Sequence, residues 1–256
     1  MRQGLRHEQG FGHPHRHFAR TESTNTRARE LAAAGAPHGT VVTASEQTEG
    51  RGRQGRVWTA PPGKALLYSA LVRPLDERHM TLPLAVPLAV AETAEELAPG
   101  VECGVKWPND VLVGRRKLAG VLIEARPQDG WAVIGVGLNL TIVADELPPE
   151  LRETATSLLI EGARDPSARD IQMATAQLGI EAAAVLSRRL EGWLEADHAA
   201  VLAAWRERDA LRGREVAWED GSGVADGIDD RGYLIVVTAS GERIAVGAGE
   251  VHLIRS

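Results

Sequence analysis

The chain has 256 residues, 43% hydrophobic and 25% charged, a balance that excludes disorder, collagen and coiled coil as descriptions of the whole. Its length predicts one large domain, or one with a small appendage. With 35 acidic residues against 29 basic, the net charge is −6, so no global field draws the chain onto DNA or an anionic membrane, and any anion site must be local. A single cysteine, Cys103, excludes an intramolecular disulfide and a cage of several thiolates, and fits a reducing compartment.

In chain order, residues 1–17 read as a flexible tail. They hold His7, His13, His15 and His17 among prolines and glycines, and the end of the tail, around His15 to Ala19, enters a strand. No apolar run follows their basic residues, so they do not form a secretory signal. The stretch Leu82 to Ala91 is too short and too interrupted by Pro83 and Pro87 to cross a bilayer. A cytoplasmic protein is expected.

Glu22-Ser23-Thr24-Asn25 offers cap groups before an Ala-rich helix stopped by Gly35 and Pro37. A strand ending in polar residues follows, then an aperiodic glycine-arginine loop, then the buried strand ALLYSALV. Thr81 to Leu97 reads as a helix kinked or started late by Pro87. VKWPNDVLV, KLAGVLIEA and WAVIGVGLNL read as consecutive strands, and Ala168 to Arg206 as two or three helices interrupted at Gly179 and Gly192. Past Gly213, short strand-sized pieces between Gly, Asp and Ser clusters predict a small antiparallel barrel that needs a neighbour to pack on. The expected division is a catalytic domain over 18–210 and a barrel over 211–256.

The loop is the most informative segment. Arg51, Arg53 and Arg56 alternate with Gly50, Gly52 and Gly55, so guanidinium forks and turned backbone N–H groups gather where an anion can bind. It satisfies G-x-G-x-x-G, but no helix opens behind it as a dinucleotide site requires, and the chain has no Walker loop. Lys64, Lys106 and Lys117 are the only lysines among 29 basic residues. An ammonium is a compact charge with a movable pKa, so Lys106 and Lys117, 11 apart, are candidates for chemistry. Lys106, Asn109 and Asp110 surround a proline turn, where the last two also suit plain turn roles. Gly135 and Gly137 strip side chains from one face of a strand, opening it to a ligand or marking a bulge. Ser23, Thr24 and Asn25 are either a cap or ligand-binding groups. No Ser/His/Asp triad or H-E-x-x-H site is present.

Taken together, E-S-T-N (Glu22 to Asn25), Q-x-x-G-R-G-R-Q-G-R-x-W (Gln47 to Trp58), K-W-P-N-D (Lys106 to Asp110), K-L-A-G (Lys117 to Gly120) and G-V-G-L-N (Gly135 to Asn139) resemble the biotin protein ligases in order and spacing. The resemblance is strong over Phe18 to Ile160, and Arg214 to Arg255 resembles the family's SH3-like barrel. It implies an α+β fold: a mixed β-sheet backed by helices, of the class II aminoacyl-tRNA synthetase and biotin ligase type, with the barrel beside the nucleotide site.

It further implies a two-step reaction. Biotin's carboxylate attacks the α-phosphate of Mg-ATP to give biotinyl-5′-AMP, and a lysine of a carboxylase's biotin carrier domain then takes the biotinyl group. By the resemblance, Ser23, Thr24, Asn25 and Gln47 hold the ureido region of biotin; Gly50, Arg51, Gly52, Arg53, Lys117, Gly120, Gly135 and Gly137 complete its site. Arg53, Arg56, Trp58, Lys106, Asn109, Asp110, Lys117 and Asn139 serve the adenylate. Arg51, Arg53 and Lys117 are the expected catalytic groups, and no residue is assigned to a metal. Gln54 stands where the family often has arginine. With only about 20 residues before the core, the monofunctional type without a DNA-binding domain is expected, as monomer or homodimer. A lipoate or octanoate ligase is disfavoured by its missing glycine triplet motif, and a chemically inert biotin-binding module by Lys117 and the arginine loop.

Overall fold

The structure, a computed structural model, describes residues 10–162 and 171–254. His7 and Ala168 lie outside the described residues. A seven-stranded sheet runs in the order β1-β2-β3-β7-β6-β5-β4: β1 His15–Phe18, β2 Val41–Ala44, β3 Ala65–Val72, β4 Cys103–Lys106, β5 Asp110–Val113, β6 Arg116–Arg126 and β7 Trp131–Asn139. Only β1 and β2 pair in parallel; the remaining pairs are antiparallel, and β4 to β7 follow one another through the short connections that antiparallel neighbours allow.

Helix α1, Thr24–Ala33, covers one face of the sheet, packing Ala28 and Ala32 against Val42, Leu71 and Val133. Helices α2, Leu82–Leu97, and α3, Ile171–Glu195, cover the other through Val86, Val90 and Leu186 against Tyr68, Ile134 and Leu138. With both faces covered, all eight residues of β3 are buried, which is why it reads as an apolar run interrupted only by Ser69.

Two expectations need correction. Gly179 and Gly192 do not interrupt α3, which runs continuously past both; a Cβ at either would meet nothing within 4 Å, so each glycine costs the helix only about 1 kcal/mol. Nor is the tail free up to residue 17. Phe11 is 7% exposed, its N–H donates to Glu191 Oε1 at 2.9 Å, and Gly12 N donates to Gly39 O at 2.9 Å. Burial of the aromatic ring docks the segment before β1 begins. Helix α2 starts at Leu82 and carries Pro87 within it.

The C-terminal unit is a five-stranded antiparallel sheet of β8 Glu215–Trp218, β9 Gly221–Ile228, β10 Leu234–Val237, β11 Arg243–Val246 and β12 His252–Leu253, ordered β11-β10-β9-β8-β12. Its apolar residues Val216, Ala225, Leu234 and Val236 share one core with Leu84 and Leu88 of α2 and with Trp205 of α4, His198–Glu207. Trp107, inside the K-W-P-N-D segment, enters this core and donates its indole N–H to Gly232 O at 3.1 Å. Thus one side chain of that motif fastens the two units together, while its neighbours face the cleft between them. Cys103 is buried, and burial pushes its thiol up to about 12, so it packs as a small apolar group.

Candidate active site

One cleft opens over the large sheet, walled by the start of α1, the glycine-arginine loop, the β4–β5 turn, β6 and β7, and closed by the C-terminal unit through Glu250, Val251 and His252. Every candidate residue lines it except Gly50 and Asn139.

Its neutral end is built on α1. Ser23 occupies the N-cap position, yet its side chain makes no cap hydrogen bond. The orphan N–H of Thr24 is instead satisfied by Gln47 Oε1, at 2.7 Å, which also receives the Thr24 hydroxyl at 3.0 Å. The Ser23 hydroxyl and the Gln47 amide nitrogen are therefore left for other partners. Asn25 is 4% exposed and held on both sides: Ser69 Oγ donates to its Oδ1 at 2.6 Å, and its Nδ2 donates to Glu124 Oε2 at 2.9 Å.

The two glycines of β7 line the cleft and also make room for the protein side chains beside it. A Cβ on Gly135 would lie 2.1 Å from Asn25 Oδ1, and one on Gly137 would lie 2.4 Å from the Trp58 ring. Either contact is far inside van der Waals separation. The Trp58 indole N–H is buried without a partner.

The opposite end is charged. Lys106 closes β4 and Asp110 opens β5, directly paired across the turn with Nζ 3.8 Å from the carboxylate. Lys117, from β6, lies closer, with Nζ 2.6 Å from Asp110 Oδ1 and 5.8 Å from the centroid of Trp58. The contact is ionic rather than a well-directed hydrogen bond, since Oδ1 has no partner of good geometry. Burial lowers the Lys106 pKa; Asp110 opposes that shift and Lys117 reinforces it. Asn109 serves as more than a turn residue: its Nδ2 donates to Val121 O at 2.8 Å, and its Oδ1 accepts from Arg53 at 3.2 Å.

The loop is more ordered than its aperiodic sequence suggests. It folds back on itself as a small hairpin, with Gly52 N on Arg56 O at 2.8 Å and Trp58 N on Gly50 O at 3.0 Å; Gln54 turns the tip at φ 52°. Gly50 thus lies behind the cleft, supporting Trp58. Arg53 reaches the C-terminal unit at Gly249 O, 3.1 Å away, and Arg56 pairs with Glu250. Asn139 donates to Thr156 O at 2.8 Å and lines a second groove, continuous with the first through Trp58, Lys106, Asp110 and Lys117.

The Biotin/lipoate A/B protein ligase family matches residues 17–140, and the Biotin protein ligase C terminal domain matches residues 213–253. The chain is 38% identical to a biotin--[acetyl-CoA-carboxylase] ligase of Mycobacterium tuberculosis, over 92% of this chain and 87% of the relative. The chain belongs to the biotin protein ligases. Another member, the biotin--[acetyl-CoA-carboxylase] ligase of Paracoccus denitrificans, is 31% identical over 91% of this chain and 98% of its own length. The biotin protein ligase of Aquifex aeolicus, solved in complex with biotin and ATP, superposes with a TM-score of 0.75 at 27% identity, covering 94% of this chain and 99% of that one. Against the bifunctional ligase/repressor of Bacillus spizizenii, 39% identical, the match spans 43% of the relative's length.

Within this biotin protein ligase fold, the sequence reading missed Glu250, which lines the cleft, and Ser69 and Glu124, which hold Asn25 from behind it. Ser69 and Glu124 carried a usable signal, each being a polar residue inside an apolar strand segment. Glu250 carried none, because only the packing of the C-terminal unit brings it to the loop.

Proposed function

We propose that the chain activates biotin with ATP as biotinyl-5′-AMP and transfers the biotinyl group to a lysine of the carrier domain of a biotin-dependent carboxylase. The observation that carries this reading is one cleft in which a buried neutral hydrogen-bonding array faces five basic side chains, Arg51, Arg53, Arg56, Lys106 and Lys117. The neutral array suits an uncharged ureido group, through the Ser23 hydroxyl, the Gln47 amide nitrogen and the remaining lone pair of Asn25 Oδ1. Leu67, Leu122 and Val136 line the same cleft and suit an apolar ring and chain.

In the first step a carboxylate oxygen of biotin bonds to the α-phosphorus as the bond to pyrophosphate breaks. Two anions meet there, and Arg51, Arg53 and Lys117 offset the repulsion and the charge that grows on the phosphoryl oxygens. In the second step a neutral amine attacks the acyl carbon and expels AMP. A loop folded over the adenylate keeps water from competing with that amine. Trp58 and Asn139 face the second groove and serve the adenine.

Magnesium would arrive with the nucleotide. Mg²⁺ is usually held by one or two carboxylates together with substrate phosphates, and Asp110 fits that role at the charged end; no group of three His, Cys, Asp or Glu forms a metal cage among the described residues. The ion would neutralise phosphate charge. No described helix is long and apolar enough to cross a membrane, and the lone buried Cys103 supports a reducing, cytoplasmic setting.

The test is biotin-dependent exchange of labelled pyrophosphate into ATP, with lipoate and octanoate run in parallel. Exchange with biotin alone is expected. Exchange with lipoate or octanoate instead, or with no acid in folded protein supplied with Mg²⁺, would overturn the assignment.

A further inference from the structure

Glu124 is a carboxylate near the end of β6, directly after the apolar run Val121-Leu122-Ile123, and three donors from two separate segments converge on it. Its Oε2 accepts from Asn25 Nδ2 at 2.9 Å; its Oε1 accepts from Arg29 Nη1 at 3.0 Å and lies 3.7 Å from Arg51 Nη1. The first two donors lie one turn apart on α1, and the third is the first arginine of the loop.

These contacts have different consequences. An amide can present either end, and Glu124 accepts only, so it forces Nδ2 of Asn25 toward itself and Oδ1 toward Ser69 and the cleft. Arg29 takes the close position on Oε1, which leaves Arg51 at the edge of ion-pair distance, 47% exposed and with donors to spare. Arg51 is thereby kept beside the neutral end of the cleft, yet loosely enough to turn to an arriving anion.

We propose that Glu124 is a positioning residue for biotin, setting the orientation of the Asn25 amide and tethering Arg51 beside the biotin carboxylate before substrate arrives. This inference rests on biotin occupying the neutral end of the cleft. It goes beyond that reading by giving a side chain that need not touch substrate two tasks, one in ureido recognition and one in loop placement.

The experiment uses full-length wild type, Glu124→Ala and the near-isosteric Glu124→Gln, the latter to guard against a folding defect. Pyrophosphate exchange is measured against biotin and against ATP, and trypsin cutting within Arg51 to Arg56 is timed without ligand. Losing a hydrogen bond to a charged group predicts a biotin KM raised about tenfold in Glu124→Ala, with the ATP KM changed less than about twofold. Losing a partly exposed ion pair predicts loop cutting about threefold faster in both variants. Folded variants with unchanged biotin KM and unchanged loop cutting overturn the inference, as does an equal rise in both KM values, which marks a merely structural role. A wild type silent in exchange sinks the ligase reading instead; loop cutting alone then decides the tether, a faster rate supporting it and an unchanged rate removing it.

Discussion

The two ends of the cleft are prepared for their ligands by different physics. At the neutral end, Thr24, Asn25, Gln47 and Ser69 are tied to one another in a buried network before any ligand is present. At the charged end, Asp110 is shared between Lys106 and Lys117, while Arg53 and Arg56 are occupied by groups of the C-terminal unit. A buried neutral array must be satisfied internally or it destabilises the fold, so it is rigid and selects by shape and direction. A cluster of cations needs counterions when empty, so its ion pairs are exchangeable, and an anionic substrate can replace them.

The sharpest way to break this contrast is at Lys117. Lys117→Met removes the ammonium 2.6 Å from Asp110 and leaves a largely buried carboxylate where phosphate must come. Pyrophosphate exchange should fall by about two to three decades, measured as kcat with both substrates saturating. Lys117→Arg should also lose activity, because a planar fork cannot take the place of a compact charge beneath Trp58; a rate close to wild type would remove that argument.

The neutral end is challenged by volume rather than charge. Gly135→Ala drives a methyl toward Asn25 Oδ1, with 2.1 Å available, and the displaced amide should weaken biotin by about 1–3 kcal/mol. Titration calorimetry with biotin checks this, and the ATP KM should stay near wild type. An equal loss toward both substrates would mean that the two ends are not independent.

A pH profile separates the ends more gently. Burial disfavours the charged form of Lys106, so its folded pKa lies below the ordinary value of 10.5. Between those two values the unfolded chain binds more protons, so stability rises with pH across that window while the charged end loses a cation. The ATP KM should therefore climb with pH in the window and the biotin KM should not. Lys106→Arg should abolish the climb; a climb that survives assigns it to another group.

The smallest effect is expected where the C-terminal unit meets the loop. Arg56 is 60% exposed in its pair with Glu250, and exposed ion pairs contribute about 0–1 kcal/mol. Glu250→Gln should raise the ATP KM less than about fivefold, and the difference should shrink in high salt. A loss of decades would show that the unit acts on the nucleotide directly.

Much of this protein is determined by local sequence. The buried strand β3, the helix α1, the small C-terminal sheet and the glycine-arginine loop are legible because turn chemistry, periodicity and charge act over a few residues. Five motifs scattered from Glu22 to Asn139 also contain most of the cleft. What only the tertiary structure decided is which groups those residues face. Ser23 sits at a cap position without capping, because Gln47, 24 positions away, supplies the bond to the helix. Gly135 and Gly137 accommodate Asn25 and Trp58 as well as lining the cleft, and Trp107, inside a site motif, holds the C-terminal unit. Glu250 enters the cleft by domain packing, and Glu124 meets Asn25 and Arg51 behind it through contacts between β6, α1 and the loop. Side-chain partners across a fold depend on contacts distant in sequence, and a local pattern specifies the chemistry a residue offers but not the atom that receives it.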